Sequence, residues 1–214
     1  MTVVPCIEQT PLVQTEKFEL GTYPFEYFNQ LQSAYYPYYD TGFNVLIAAS
    51  TSSGKTICAE ISIANTIAQN KKAIFLCPMK ALSTERYDDW TSKEHYFSNY
   101  NVEILTGDHK LTDSKKKAIK NADIVIMTSE MLDTRTRFIS NEDNHWLYEV
   151  GILVVDEAHL LTTERGPALE VGLMNFTQHN KQARLMLLSA TLSNTKQIAK
   201  WLEWLNEKQT ITID

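Results

Sequence analysis

Cysteine is scarce in this chain of 214 residues, and the three present, Cys6, Cys58 and Cys77, are odd in number and far apart. With no Cys-x-x-Cys pair, neither a disulfide framework nor a zinc site is expected, and a reducing intracellular setting, cytoplasmic or nuclear, fits best. A basic surplus is missing as well: 20 Lys and Arg against 26 Asp and Glu leave a net charge of −6. Gripping nucleic acid by charge alone is thereby excluded, although a local basic groove is not. No apolar run approaches the roughly 18 residues of a membrane span, and Met1-Thr2-Val3-Val4-Pro5 has no basic region leading into an apolar core. Neither a membrane nor a removable signal is expected. Repeats and low-complexity segments are absent too.

What remains is an ordinary globular composition, 43% hydrophobic and 21% charged, in a length that suits one well-buried α/β domain and would cramp two. Residues 1–22 hold Pro5, Pro11 and Gly21 without a sustained period and read as an extended arm or short strand, and residues 23–214 read as the domain. Strands are expected at 43–48, 72–77, 102–105, 124–127, 152–155, 185–188 and 210–213, each a short apolar or alternating run. Helices are expected at 29–36, 55–69, 81–96, 113–120, 130–137, 167–177 and 195–205, the first stopping near Pro37. Strands alternating with helices imply right-handed crossovers and a mostly parallel sheet with helices on both faces. Ligands of such sheets bind at the carboxyl ends of the strands.

Two stretches carry chemistry. The first is Ala49-Ser50-Thr51-Ser52-Ser53-Gly54-Lys55-Thr56, between an expected strand and an expected helix. Small residues at that junction let backbone N–H groups curl around a phosphate while the positive end of the helix aims at the same anion. Lys55 would reach the β- and γ-phosphates of a nucleotide, and the Thr56 hydroxyl would hold Mg2+. Ala49 stands where the motif usually has glycine, a mild departure because close approach is demanded mainly at Gly54. The second stretch is Asp156-Glu157-Ala158-His159, directly after the run Ile152 to Val155. Opposite a phosphate loop, Asp156 could complete a Mg2+ site and Glu157 could polarise the water that attacks the γ-phosphate. By itself the stretch also fits a solvated acidic turn, and the loop upstream is what favours function.

In that order, the loop ending Gly54-Lys55-Thr56, the Asp156-Glu157-Ala158-His159 box and Ser189-Ala190-Thr191 resemble motifs I, II and III of superfamily 2 DExH-box helicases. The resemblance runs from about Tyr27 to Leu205. Phe28 with Gln32 looks like the Q-motif, Pro78-Met79-Lys80-Ala81-Leu82 like motif Ia, Thr106-Gly107-Asp108 like motif Ib, and Thr128-Ser129-Glu130 like the next strand-contacting motif. Gly166-Pro167-Ala168-Leu169-Glu170 and Ser193-Asn194 are similar to the Ski-like group, which includes spliceosomal, exosome-associated and archaeal repair helicases.

This resemblance implies a RecA-like P-loop NTPase domain, the first of two, that binds ATP and Mg2+ in a nucleic-acid-dependent helicase. By the same resemblance Gln32 reads the adenine edge and Phe28 covers its face, while residues 49–56 hold the phosphates and Thr56 and Asp156 the metal. Glu157 activates water, and His159, Ser189, Ala190 and Thr191 link the nucleotide state to domain movement. Lys80, Thr106, Gly107, Thr128 and Ser129 touch the backbone of a single strand, a mode that needs little net charge. The implied partners are single-stranded or partly duplex DNA or RNA and a second RecA-like domain, in cis or in trans. Nothing after Thr191 resembles that domain and its arginine-bearing motif, so the chain is expected to be an N-terminal fragment that hydrolyses ATP poorly alone.

The alternative is a nucleotide-gated module that holds a strand or partner without turnover, which has no need of Glu157. A GTPase or small-molecule kinase would use the same loop, but there is no Asn-Lys-x-Asp to read guanine and no arginine-rich lid. Elsewhere the expectations are structural. Tyr35, Tyr36, Tyr38 and Tyr39 cover core, and Lys110, Lys115, Lys116, Lys117 and Lys120 form a solvated helix face. His95, His109, His145 and His179 lack ligand spacing, and Trp201 and Trp204 face the core.

Overall fold

The computed structural model describes residues 7, 10–15, 25–107, 111–190, 192 and 194–214. Among them helices and strands alternate: α1 (Gln30–Tyr35), β1 (Asn44–Ala48), α2 (Lys55–Ala68), β2 (Lys72–Cys77), α3 (Lys80–Thr91), β3 (Val102–Leu105), α4 (Asp113–Asn121) and β4 (Ile124–Thr128). The series continues with α5 (Ser129–Arg137), β5 (Val150–Val155), α6 (Gly166–His179), β6 (Arg184–Ser189), α7 (Thr195–Asn206) and β7 (Thr210–Ile213). The seven strands form one parallel sheet in the order β3-β4-β2-β5-β6-β1-β7. None of the described helices is long and apolar enough to cross a membrane.

The sheet is apolar on both faces, which is why its strands read as continuous hydrophobic runs. Leu46, Ile74, Leu76, Val125, Met127, Leu153, Val155, Leu185 and Leu187 point to one side, where α5, α6 and α7 cover them with Leu132, Leu173, Phe176 and Leu202. Their neighbours Val45, Ile47, Phe75, Ile126, Val154 and Met186 point to the other, under Leu31 and Tyr35 of α1, Ile61 and Ile63 of α2, and Trp90 of α3. Each such side chain taken fully out of water contributes about 1.5–3 kcal/mol, so a single register slip of a central strand would be prohibitive.

Buried polar groups fix the edges. Arg184, at the start of β6, donates from Nε to the Phe43 carbonyl at 2.5 Å, from Nη1 to that of Tyr39 at 2.5 Å and from Nη2 to that of Tyr38 at 2.7 Å, and reaches the Tyr35 hydroxyl at 3.5 Å. Asn44 and Asn206 exchange amide hydrogen bonds of 2.8 and 2.9 Å, binding the end of α7 to the start of β1. The arm is held by two backbone bonds, Phe28 N–H to the Val13 carbonyl at 2.9 Å and Thr15 N–H to that of Glu26 at 3.0 Å. The expected boundary at 22–23 lies outside the described residues.

Several expectations are corrected. The helix expected over 81–96 ends at Thr91, and the chain turns into a 3-10 segment, Tyr96–Asn99, that sinks Phe97 edge-on to Trp90 at 5.1 Å. Core packing overrides helix propensity there. The first helix tightens into a 3-10 turn at Tyr36–Tyr38, because Pro37 has no N–H for an α-helical bond. A 3-10 run at Glu142–Glu149, too short and mixed to show a period, buries Trp146 and Leu147. Trp201 packs at the rim of the core, but Trp204, two residues beyond Leu202 and so off the apolar stripe, is 68% exposed. The tyrosines meet expectation: Tyr35 is buried, and Tyr36, Tyr38 and Tyr39 pack on the core. On the lysine-rich helix Lys115 pairs with Glu103 at 2.5 Å and Lys116 with Asp143 at 2.7 Å. Lys110 and His109 lie outside the described residues.

Candidate functional site

Among the described residues, the motifs that follow β1, β2, β3, β4, β5 and β6 lie at the carboxyl edge of the sheet, because every strand is parallel, whereas Phe28 and Gln32 precede β1. The loop after β1 is drawn tight: Ala49 N–H donates to the Ser189 carbonyl at 3.0 Å, and Ser53 donates to the Ser50 carbonyl from both N–H (3.1 Å) and Oγ (2.7 Å). Gly54 turns it into α2 with φ +81°, and a Cβ there would stand 2.5 Å from Gln32 Nε2 and 3.1 Å from Asn29 Nδ2. Glycine suits the left-handed backbone and lets the Gln32 amide approach, which an added Cβ would have to displace. No side chain caps α2, so its first N–H groups face the loop unsatisfied by any cap.

Lys55, only 6% exposed, folds back over the loop and donates from Nζ to the carbonyls of Ala49 (2.6 Å) and Ser50 (2.7 Å). Burial lowers its pKa, while the charges of Glu157 and Asp156 pull the other way. Loop lysine and strand-end carboxylates thus share one electrostatic site. Asp156 N–H continues the sheet by donating to the Leu76 carbonyl at 2.9 Å. Burial, and then the charge of Glu157, raise the Asp156 pKa. Glu157 donates its backbone N–H to Asp156 Oδ1 at 3.0 Å and sits at φ +54°, a left-handed conformation that costs a non-glycine residue about 1–3 kcal/mol. His159 Nδ1 lies 3.1 Å from Glu157 Oε2, near enough for an ion pair when the imidazole is protonated, yet neither buried atom makes a hydrogen bond of acceptable geometry.

These features fit a nucleotide with its metal. The cradle at Gly54 is closed by side-chain amides that an added Cβ would displace, a buried carboxylate oxygen of Glu157 is orphaned, and the nearby donors are the hard hydroxyl and carboxylate oxygens that magnesium takes. Among the described residues no three His, Cys, Asp or Glu cluster as a metal cage. Magnesium held mainly by substrate phosphates and water needs none.

Beside the loop lies a cavity of about 720 Å³ lined in part by Phe28, Asn29, Gln32, Gly54, Thr56 and Glu60. Gln32 is locked in a capping box, its Oε1 accepting from Asn29 N–H at 3.0 Å and its Nε2 donating to the Gly54 carbonyl at 3.4 Å. Phe28, expected to cover a base, is 0% exposed and packs against Tyr36 at 5.4 Å between ring centroids, so it supplies floor rather than an open face. The open rings at this cavity are Phe25 (65% exposed) and Tyr27 (42% exposed), which sequence reasoning missed although both stand in the aromatic stretch that begins the domain. Also missed was Glu60, a lone carboxylate on the buried side of α2. Trp90 Nε1 donates to it at 2.9 Å, the Tyr96 hydroxyl donates as well, and Arg86 lies 4.0 Å away. Burial raises the Glu60 pKa.

A second cavity, of about 410 Å³, opens at the ends of β2 and β4 and brings Lys80, Gly107 and Thr128 together with Pro78, Glu130 and Arg165. Thr106, Thr128 and Ser129 are buried, so what they can offer a ligand is backbone rather than hydroxyl. Neither α3 nor α5 has a side-chain cap at the end that faces this cavity. Ser189 is buried at the end of β6, and Ala190 follows in a bend, half-buried. Thr191, Ser193 and Asp108 lie outside the described residues.

Comparison with known proteins points the same way. The DEAD/DEAH box helicase family model matches residues 29–198. The RQC trigger complex helicase SLH1 of Saccharomyces cerevisiae is 37% identical over 201 residues, covering 91% of this chain and 10% of SLH1. Human activating signal cointegrator 1 complex subunit 3 is 38% identical over 194 residues, 87% of this chain and 8% of that protein. The chain therefore spans about a tenth of the length of these two relatives. A crystal structure of the DUF1998 helicase MrfA bound to DNA and AMPPNP matches with a TM-score of 0.76 at 19% identity, covering 96% of this chain and 30% of that one, a likeness of fold.

Proposed function

Because this chain belongs to the DEAD/DEAH box helicase family, with relatives of the Ski-like group, we propose that it is the ATP-binding, first RecA-like domain of a motor that couples ATP hydrolysis to translocation along, or unwinding of, nucleic acid. The observation that carries this reading is the buried Lys55 ammonium sharing one site with Asp156 and Glu157, beneath a loop that Gly54 closes with a left-handed turn. Residues Ala49, Ser50, Thr51, Ser52, Ser53 and Gly54 wrap the phosphates with backbone N–H groups, and Lys55 exchanges its loop carbonyls for phosphate oxygens. Thr56 and Asp156 hold Mg2+, which when bound neutralises phosphate charge. Glu157 takes the proton of the attacking water, and His159 links the nucleotide state to domain movement. Gln32 reads the adenine edge with Phe28 as floor, and Ser189, Ala190 and Thr191 relay the nucleotide state. Lys80, Thr106, Gly107, Thr128 and Ser129 meet the backbone of a single-stranded or partly duplex DNA or RNA in an intracellular setting.

Complete catalysis needs an arginine from a second RecA-like domain, in cis or in trans. Such a finger is worth about 10³ to 10⁵ in rate in related nucleotide hydrolases. The test is phosphate release by the 214-residue chain, with and without single-stranded DNA or RNA, with Glu157→Gln as the blank. We expect ATP to bind in preference to GTP and turnover to stay close to the blank. Equal affinity for both nucleotides, or none, overturns the reading, whereas brisk strand-stimulated turnover by a monomer would mean that the arginine comes from this chain.

A further inference from the structure

Arg165 lies in the loop that leads from the Asp156-Glu157 turn into α6, yet its guanidinium reaches the other cavity. Its Nη1 donates to the Pro78 carbonyl at 2.7 Å, across 87 residues of sequence. The side chain is exposed and lines the same space of about 410 Å³ as Lys80, Gly107 and Thr128. A carbonyl acceptor orients a guanidinium without neutralising it, and this bond engages one of the five N–H donors of a planar fork. Among the described residues, the other charged groups lining that space are Lys80, of the same sign, and Glu130, which opposes them. A cation held in one orientation but not discharged suits a ligand that is anionic and offers paired oxygens, and a phosphate fits both requirements. Fixing the side chain beforehand also reduces the entropy lost when the anion arrives.

We propose that Arg165 is a further nucleic-acid contact: Pro78 holds one edge of the guanidinium, and the remaining N–H groups bind a phosphodiester oxygen of the strand that Lys80 and the starts of α3 and α5 meet. This rests on the strand-binding reading above. It also joins the two cavities, since the loop that bears Arg165 begins at the carboxylates of the nucleotide site.

The test is fluorescence anisotropy of a labelled single-stranded oligonucleotide, DNA and RNA in separate arms, titrated with the 214-residue chain over a range of NaCl concentrations. The variants are Arg165→Gln, which keeps a donor for Pro78 without the charge, Arg165→Lys, which keeps the charge, and Lys80→Ala as a reference. Arg165→Gln should flatten the slope of log affinity against log salt by about 0.7, the share of one phosphate contact on a single strand, and Arg165→Lys should restore most of it. Affinity for an ATP analogue should not change in either. If Lys80→Ala flattens the slope and Arg165→Gln does not, Arg165 is a clamp on Pro78 alone and the proposal fails while the strand-binding reading stands. If the unmodified chain shows no salt-dependent binding at all, that reading fails and takes the proposal with it.

Discussion

Gly54 and Gly107 both sit in loops that leave the carboxyl ends of parallel strands, and their surroundings are opposite. At Gly54 the backbone is left-handed and an added Cβ would press on Gln32 at 2.5 Å, whereas at Gly107 no heavy atom of the described residues stands within 4 Å of that point. The same contrast holds for the cavities they border. The proposed nucleotide site gathers charge on the buried Lys55 and the half-buried Asp156 and Glu157, and accepts a strained backbone to do so. In the proposed strand cavity the threonines are buried, and the helices that start there, α3 and α5, have no side-chain cap. A site built from side chains must keep particular residue types, and one built from backbone need not.

The contrast can be broken most directly at Lys55. Lys55→Ala removes charge-assisted hydrogen bonds worth about 1.5–3 kcal/mol, so affinity for a fluorescent ATP analogue should fall roughly 10- to 150-fold. Strand affinity measured without nucleotide should hold, and an equal loss there would mean that the two cavities form one electrostatic unit. A smaller effect is expected from the glycines themselves. Gly54→Ala forces a Cβ into left-handed geometry at roughly 1–2 kcal/mol and displaces Gln32, lowering both the urea midpoint and ATP affinity, while Gly107→Ala should leave the midpoint where it is. Comparable losses at both positions would erase the distinction.

The subtlest test concerns Glu60, which lines the nucleotide cavity but receives the indole N–H of Trp90, on the helix that begins at the strand cavity. Burial raises its pKa, so the folded chain holds this proton more tightly than the unfolded chain. The associated stability is present below the ordinary carboxylate range and is lost as pH rises through the raised value. Urea unfolding at about pH 5 and about pH 8 should therefore show the unmodified chain losing stability relative to Glu60→Gln as pH increases. A constant difference between the two proteins would show that the carboxyl stays ionised in its pocket.

Legibility in the sequence follows the same division. The strands β2, β3 and β7 fall on the residues expected, β2 from its nearly continuous apolar run and β7 from the alternation of threonine and isoleucine. The loop from Ala49 to Thr56 and the Asp156-Glu157 pair stand out in the sequence because the chemistry proposed for them needs particular side chains at particular strand ends. Arg165 was not, since nothing local tells an arginine before Gly166 that its partner is a carbonyl 87 residues upstream. The end of α3 was misplaced because Phe97 is drawn to Trp90 by tertiary packing, which no helical period encodes. Phe28 shows the limit from the other side: the resemblance set it over the face of a base, and only the fold reveals that its ring is buried against the core.

The oxygens that accept from Arg184 are three backbone carbonyls and the hydroxyl of Tyr35, whose own pKa is raised by burial. A clasp whose acceptors do not titrate has nothing to lose in acid and little to lose in brine. Exposed pairs such as Lys116 with Asp143 weaken under both conditions. The segment that presents Gln32 to the phosphate loop should therefore keep its register in media that strip the surface of its ion pairs, making this corner of the domain the last to loosen in acid or high salt.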